Sequence, residues 1–199
     1  MRPPRPKFIL FHKPKGILVT RKDENQRTTV YDTLPPFLMN EGWVPIGRLD
    51  KSSRGLLLFT QDGSLVDLLT QPGICEKGYE VVIRGRISDQ DLAQAHLGVL
   101  TPFGLLKVYA VEKFREIGPK TYLRVFLKEG KNRHIRRLFH AFKDPKFQTP
   151  LKVIDLKRIR IGTLTLDLEA GGWRYSTPAE EGKLLGSFIP LANPQKNHS

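Results

Sequence analysis

Gly47-Arg48-Leu49-Asp50-Lys51-Ser52-Ser53-Arg54-Gly55-Leu56-Leu57-Leu58-Phe59-Thr60-Gln61-Asp62-Gly63 is the stretch whose reading decides the fold. From Gly55 to Thr60 it is an apolar run with the length of a buried strand, closed by a Gln-Asp-Gly turn signal. Asp50 therefore lies on a loop fixed by a core strand, where a reactive group is both exposed and rigidly held. In sequence it stands between Arg48 and Arg54, and nearby positive charge favours the ionised carboxylate. A positioned carboxylate can act as a base, a metal ligand or a nucleophile. The plainer reading is a turn whose Asp pairs with a neighbouring Arg.

The length of 199 residues allows one large core or two small subdomains sharing one. No apolar run approaches membrane-span length, and the N-terminus lacks the apolar segment of a secretory signal. A lone cysteine, Cys75, forms neither an internal disulfide nor a zinc site by itself. These features predict a cytosolic, reduced, metal-free protein. Lys and Arg number 33 against 20 Asp and Glu, a net charge of +13 that favours a polyanionic partner. RNA or DNA is preferred over a membrane surface, because no basic amphipathic anchor is visible.

Outward from the central stretch, Phe8–Phe11 and Ile17–Thr20 read as strands around the turn His12–Gly16. A short helix over Thr29–Leu34 stops at Pro35-Pro36, and Trp43–Ile46 enters the Asp50 loop as a strand. On the other side, Ser64 caps a helix over 65–69, and 77–83 alternates as a strand. Ser88 begins a helix through His96 that Gly98 closes, and 105–114 and 121–128 are two further strands. A helix follows at Lys131–Phe142, then strands at 152–161 and 164–168, then a helix at Ala179–Leu185. Strands outnumber helices and several are hairpin-spaced. The pattern predicts an α+β fold, with a mainly antiparallel central sheet and flanking helices.

In the 131–142 helix, Asn132 is the candidate N-cap. Ile135, Leu138, Phe139 and Phe142 form one apolar face, while Arg133, Arg136, Arg137, His140 and Lys143 project elsewhere. A solvated basic face is the bland account of those cations. His12, His96, His134 and His140 lack metal-ligand spacing and are expected at the surface or on RNA.

The run G-R-L-D followed by G-L-L-L-x-T-x-D-G resembles motif II of the pseudouridine synthases, in their ribosomal branch. Lys13-Pro14-x-Gly16 with Thr20 resembles motif I, Lys77-x-Tyr79 motif IIa, Lys131–Arg137 motif III, and Leu156–Gly162 the last motif. The resemblance covers about Phe8 to Gly186. It implies two abutting subdomains sharing a catalytic cleft, in one catalytic domain over 8–189. A mobile basic arm (1–7) would precede it, a frayed tail (190–199) would follow, and the S4-type module of many ribosomal members would be absent. The match looks closest to the E type of large-subunit synthase.

The resemblance further implies isomerisation of a uridine to pseudouridine without any cofactor. The partner would be rRNA, most naturally of the large subunit, bound by a monomer. Asp50 would be catalytic, salt-bridged and oriented by Arg136. Tyr79 would stack on the uracil and help remove the C5 proton. Ile135 would pack on the flipped base and Leu156 wall the pocket. Arg48 would fill the vacated space or hold the backbone. Arg54, Lys131, Arg133 and Arg137 would contact phosphate, Lys13 and Lys77 would contribute to substrate binding, and Arg158 or Arg160 would touch RNA. A tRNA-directed enzyme and a non-catalytic RNA-binding or ribosome-assembly protein are the alternatives.

Overall fold

The structure is a computed structural model that describes residues 5–188. The first four residues of the expected arm and the whole expected tail lie outside the described residues. The chain begins with β1 (Ile9–Lys13), α1 (Val30–Thr33), α2 (Phe37–Asn40), β2 (Val44–Pro45), β3 (Arg54–Thr60) and α3 (Gly63–Thr70). There follow β4 (Lys77–Arg84), α4 (Asp89–Leu97), β5 (Val99–Thr101), β6 (Gly104–Leu106), β7 (Ala110–Ile117) and β8 (Lys120–Leu127). The last elements are α5 (His134–His140), β9 (Lys152–Ile161), β10 (Leu164–Thr165), β11 (Trp173–Tyr175) and α6 (Pro178–Gly186).

The main sheet has the order β11-β1-β3-β9-β4-β8-β7, with β2 and β10 paired onto β3 and β9. Its ladders are antiparallel except the one between β3 and β9, so the fold is α+β as the sequence predicts. The apolar run of β3 is continuous because both faces of the strand are covered. Leu56 and Leu58 pack with Phe8, Leu10, Leu65, Leu69 and Leu184. Leu57 and Phe59, on the opposite face, pack with Ile9, Phe11, Val30, Tyr31 and Trp43. A separate cluster joins β4 and β8 to α4 and α5 through Val81, Leu123, Val125, Ala95, Leu138 and Phe139.

Local chemistry sets the helix ends. The Asp62 carboxylate accepts from the Ser64 amide at 2.9 Å, so Asp62 rather than Ser64 caps α3. Ser88 caps α4 as expected, accepting from the Asp91 amide at 3.0 Å. α5 starts three residues later than predicted. Arg133 at φ 51° occupies the left-handed region, so the chain turns before the helix and Asn132 is not its cap.

The segment Ile17–Thr20 is not a strand. Leu18 bonds instead to the 28–30 loop, through its amide to Thr28 O (2.9 Å) and its carbonyl from the Val30 amide (2.8 Å). β1 finds its partners far along the chain, in β3 and β11. The three-residue strands β5, β6 and β11 are too short for alternation to reveal them.

Two sets of strands meet at the parallel pair, where Arg54 opposes Lys157 and Gly55 opposes Arg158. Gly55 has φ +113°, and a Cβ there would stand 2.2 Å from Arg158 O. Glycine is required on both counts: the backbone region and the space. The Arg158 side chain then crosses the seam, donating from Nε to Leu56 O at 2.7 Å. Gly55→Ala should therefore cost at least ~3 kcal/mol, measured by denaturant unfolding at unchanged m-value. A variant as stable as the parent would contradict this account of the seam.

Candidate active site

Asp50 is carried by a turn between β2 and β3 that is tied at several points. The Ser53 amide donates to Asp50 O at 3.0 Å, closing the turn, and the Gly16 amide donates to Lys51 O at 2.8 Å. Lys13, at the end of β1, is fully buried beneath it. Its Nζ donates to Pro14 O (3.0 Å), Asp50 O (3.2 Å) and Ser53 O (2.9 Å). Three carbonyl acceptors match the three donors of an ammonium group. Burial pushes the Lys13 pKa down to about 8, against the opposing attraction of Asp50. The expected substrate contact at Lys13 is therefore corrected: the side chain fastens the Asp50 loop from below.

The carboxylate of Asp50, with 25% of the side chain exposed, faces two arginines from the α5 region. Arg136 Nε lies 3.6 Å from Oδ2 and Arg133 Nη1 3.7 Å from it. The flanking pair expected from sequence, Arg48 and Arg54, is replaced by this one. The Arg136 side chain is 12% exposed and is held by its other nitrogens. Nη1 donates to Val153 O at 2.9 Å, and Nη2 to Ser52 O and Ser53 Oγ, both at 3.3 Å. Its buried Nε makes no hydrogen bond within the described residues and is directed at Asp50. Burial lowers the Arg136 pKa, and Asp50 opposes that shift.

Beside the carboxylate is a hollow of about 100 Å³ lined by Asp50, Tyr79, Ile135 and Leu156, with Arg48 and Arg133 at its edge. Tyr79 stands on β4, Leu156 on β9 and Ile135 in the first turn of α5, so three elements converge on the loop. Arg48 is exposed and also lines a larger cleft of about 780 Å³ that runs past Gly16, Lys22 and Arg27.

Several expected RNA contacts are occupied otherwise. Arg54 holds Asp155 with two hydrogen bonds, at 3.2 and 2.7 Å, and Lys15 joins at 2.7 Å. Burial pushes the Asp155 pKa up, but the bonds from Arg54 and Lys15 outweigh it and hold the pKa at about 2. Lys77 Nζ donates to Leu69 O at 2.8 Å. Arg158 is buried across the seam, and Arg160 pairs with Glu76. Lys131 Nζ donates to Leu105 O at 2.8 Å, and Arg137 lies 3.7 Å from the centroid of the Phe103 ring.

His12 and His134, expected at the surface, are buried and hydrogen-bonded to Leu168 O and Lys107 O, whereas His96 and His140 are exposed. Sequence reasoning missed Ser52, Ser53 and Phe103. Among them only Phe103, an aromatic in a Pro-Phe-Gly turn, carries a local signal. Among the described residues, no group of three or more His, Cys, Asp or Glu is placed to hold a metal ion.

Residues 7–141 match the family model described as RNA pseudouridylate synthase. The chain belongs to that family. Its relatives include proteins named for the ribosomal large subunit. It is 36% identical over 170 residues to ribosomal large subunit pseudouridine synthase B of Haemophilus influenzae, covering 84% of this chain and 45% of that protein. The same-named protein of Salmonella typhimurium is 34% identical over 183 residues, covering 90% of this chain and 60% of the relative. The chain thus spans about half the length of the curated relatives it matches. These relatives carry B-type names, and the E type suggested by the sequence is not among them.

A crystal structure of a pseudouridylate synthase superposes with TM-score 0.74 at 26% identity, covering 90% of this chain and 74% of that one. The archaeal box H/ACA sRNP Nop10-Cbf5 complex contains a chain sharing the fold, with TM-score 0.59 and 22% identity over 80% of this chain and 48% of that chain.

The buried ammonium of Lys13 has a measurable consequence. As pH rises through about 8, Lys13 loses a proton and one of the three carbonyls loses its donor, loosening the Asp50 loop. Global stability should not fall in that window. Between about 8 and the ordinary lysine value of 10.5 the unfolded chain binds more protons than the folded one, so this group's contribution rises with pH. The expected result is an alkaline limb near pH 8 in single-turnover rate at saturating enzyme, without a parallel drop in Tm.

Proposed function

We propose that this chain isomerises a uridine of ribosomal RNA to pseudouridine, with Asp50 as the catalytic group. The observation that carries the reading is the buried, otherwise unbonded Nε of Arg136 directed at a carboxylate beside a hollow of apolar wall and tyrosine. A protein that only bound RNA would gain nothing from a positioned carboxylate facing an anionic ligand. Large-subunit RNA is the favoured target, because the relatives are named for the ribosomal large subunit.

The reaction breaks the bond from ribose C1′ to uracil N1, turns the base, and joins C1′ to C5. The C5 proton leaves and N1 gains one, so there is no redox change or net addition. Positive charge develops on the sugar as the base detaches. The Asp50 carboxylate can stabilise that charge, attack C1′, or remove the 2′ proton. Arg136 fixes the carboxylate's orientation, with Arg133 supplying a second, more exposed positive charge.

A hollow of about 100 Å³ admits one base and not a pair, so the uridine must leave its stack. In this reading Ile135 and Leu156 wall the base, Tyr79 stacks on it, and Arg48 occupies the vacated position. One chain supplies every residue of the hollow, so a monomer suffices. A ribosomal RNA substrate favours a cytoplasmic location.

Asp50→Asn keeps the shape and removes the anion. Pseudouridine formation in rRNA fragments should fall by at least ~10³-fold while RNA binding persists. Substantial turnover by a verified Asp50→Asn protein would sink the assignment. Arg136→Ala should lower the single-turnover rate at saturating enzyme by ~10²-fold, with a change of less than ~5-fold in affinity. A loss confined to affinity would instead make Arg136 a phosphate contact.

A further inference from the structure

Beside α5 runs a groove of about 740 Å³ that extends well beyond the motif residues. It begins at Arg133 and Arg136, the two arginines on Asp50, and extends past Arg137 to Pro150 and Lys152. Phe103, at the turn between β5 and β6, also lines it. This ring is 59% exposed although Arg137 lies over it at 3.7 Å.

A second hollow of about 440 Å³ shares Pro150 and Lys152 with the first. It repeats the same chemistry. Phe147 is 65% exposed, with Lys146 Nζ 5.2 Å from its ring centroid and Arg84 and Arg86 in the lining. The single carboxylate there, on Asp144, is engaged by the backbone amides of Arg86 (2.7 Å), Lys146 (2.9 Å) and Phe147 (3.0 Å). Among the described residues Arg84, Arg86, Arg137, Lys146 and Lys152 form no ion pair.

Exposed aromatic rings beside unpaired cations are the chemistry of single-stranded nucleic acid. The cations meet successive phosphates, and the rings accept unstacked bases of any sequence. Duplex RNA hides its base faces and cannot use the rings. The track starts at Arg133, which also lines the hollow beside Tyr79, so a strand entering that hollow can run on into the groove.

We propose that the groove beside α5 and the hollow beyond Lys152 form one track for the unpaired strand that flanks the target nucleotide. Phe103 and Phe147 are its two stacking platforms. This rests on the RNA-modifying reading above and adds to it a requirement for single-stranded flanking sequence.

The test compares two RNAs, one ending at the target loop and one continuing into unpaired nucleotides on both sides. Wild-type protein should bind the longer RNA more tightly. Phe103→Ala and Phe147→Ala should each weaken binding of the longer RNA by about 5- to 50-fold and of the shorter by less than about 2-fold. The rate at saturating enzyme should stay within about 2-fold, and Phe103→Trp should retain the affinity. Both rings are exposed, so matching Tm values will show that the variants fold.

Unchanged affinity for the longer RNA, or equal loss on both RNAs, overturns the track. A dimer in sedimentation that Phe103→Ala dissolves also overturns it, by assigning this face to a second copy. If wild-type protein makes no pseudouridine yet binds the longer RNA in a phenylalanine-dependent way, the catalytic reading fails and the track stands. If it makes pseudouridine and is indifferent to both rings, only the track fails.

Discussion

The close approach of Gly55 to the Arg158 backbone is the contact on which the site geometry depends. At that seam the β1–β3 side of the sheet meets the β4–β9 side, through two register pairs only. The Asp50 turn belongs to the first side. Tyr79, Leu156 and the helix bearing Arg136 belong to the second. The 3.6 Å between Asp50 and Arg136 is thus set by how the two sides abut. Arg158 reinforces the junction, because its Nη1 also reaches Arg48 O at 3.5 Å, just ahead of the Asp50 turn.

Buried cations do much of the positioning. Lys13, Arg136 and Arg158 all donate to backbone carbonyls. Carbonyl dipoles satisfy most of the donors while leaving the cations' net charge uncompensated; among the described residues Arg136 Nε and Arg158 Nη2 remain without a hydrogen-bond partner. The Asp50 carboxylate is held at salt-bridge distance from Arg136 without being consumed by a short hydrogen bond. Arg54 shows the contrast. Its fork is closed on Asp155, and that pair stabilises the sheet without presenting a free group.

What could be read from the sequence was what local pattern encodes. The run Leu56–Phe59 announced a strand covered on both faces, and Ile135, Leu138 and Phe139 announced the buried side of α5, with Phe142 buried just beyond its end. The family resemblance, rather than local pattern, brought Asp50, Tyr79, Arg136, Ile135 and Leu156 to one expected site, and they line or adjoin one hollow. The arginines could not be sorted, because their tasks are set by partners distant in sequence. Arg54 and Asp155 are 101 residues apart. Lys13 looked like part of an exposed basic turn, and nothing near it in sequence shows that its acceptors are Asp50 O and Ser53 O. The left-handed Arg133 was equally hidden, since a strained backbone position on a non-glycine residue is imposed by tertiary structure.

The β3–β9 seam also governs the order in which the protein can be made. Arg158 follows Leu56 by 102 residues, so β3 leaves the ribosome long before the strand that flanks it. β1 can cover one edge of β3 early, because their ladder is local to the first 60 residues. On the other edge β2 can cover Phe59 and Thr60 early, and only the end that pairs with β9, at Arg54 and Gly55, stays open through the synthesis of β4 to β8. An apolar strand with an unpaired edge recruits other chains, and closing so distant a parallel pair is slow. The nascent protein therefore carries this end of an apolar strand unpaired from the completion of β3 at Thr60 until β9 begins at Lys152. A chain released before β9 would contain Asp50 and Arg136 without the strand against which they are brought together.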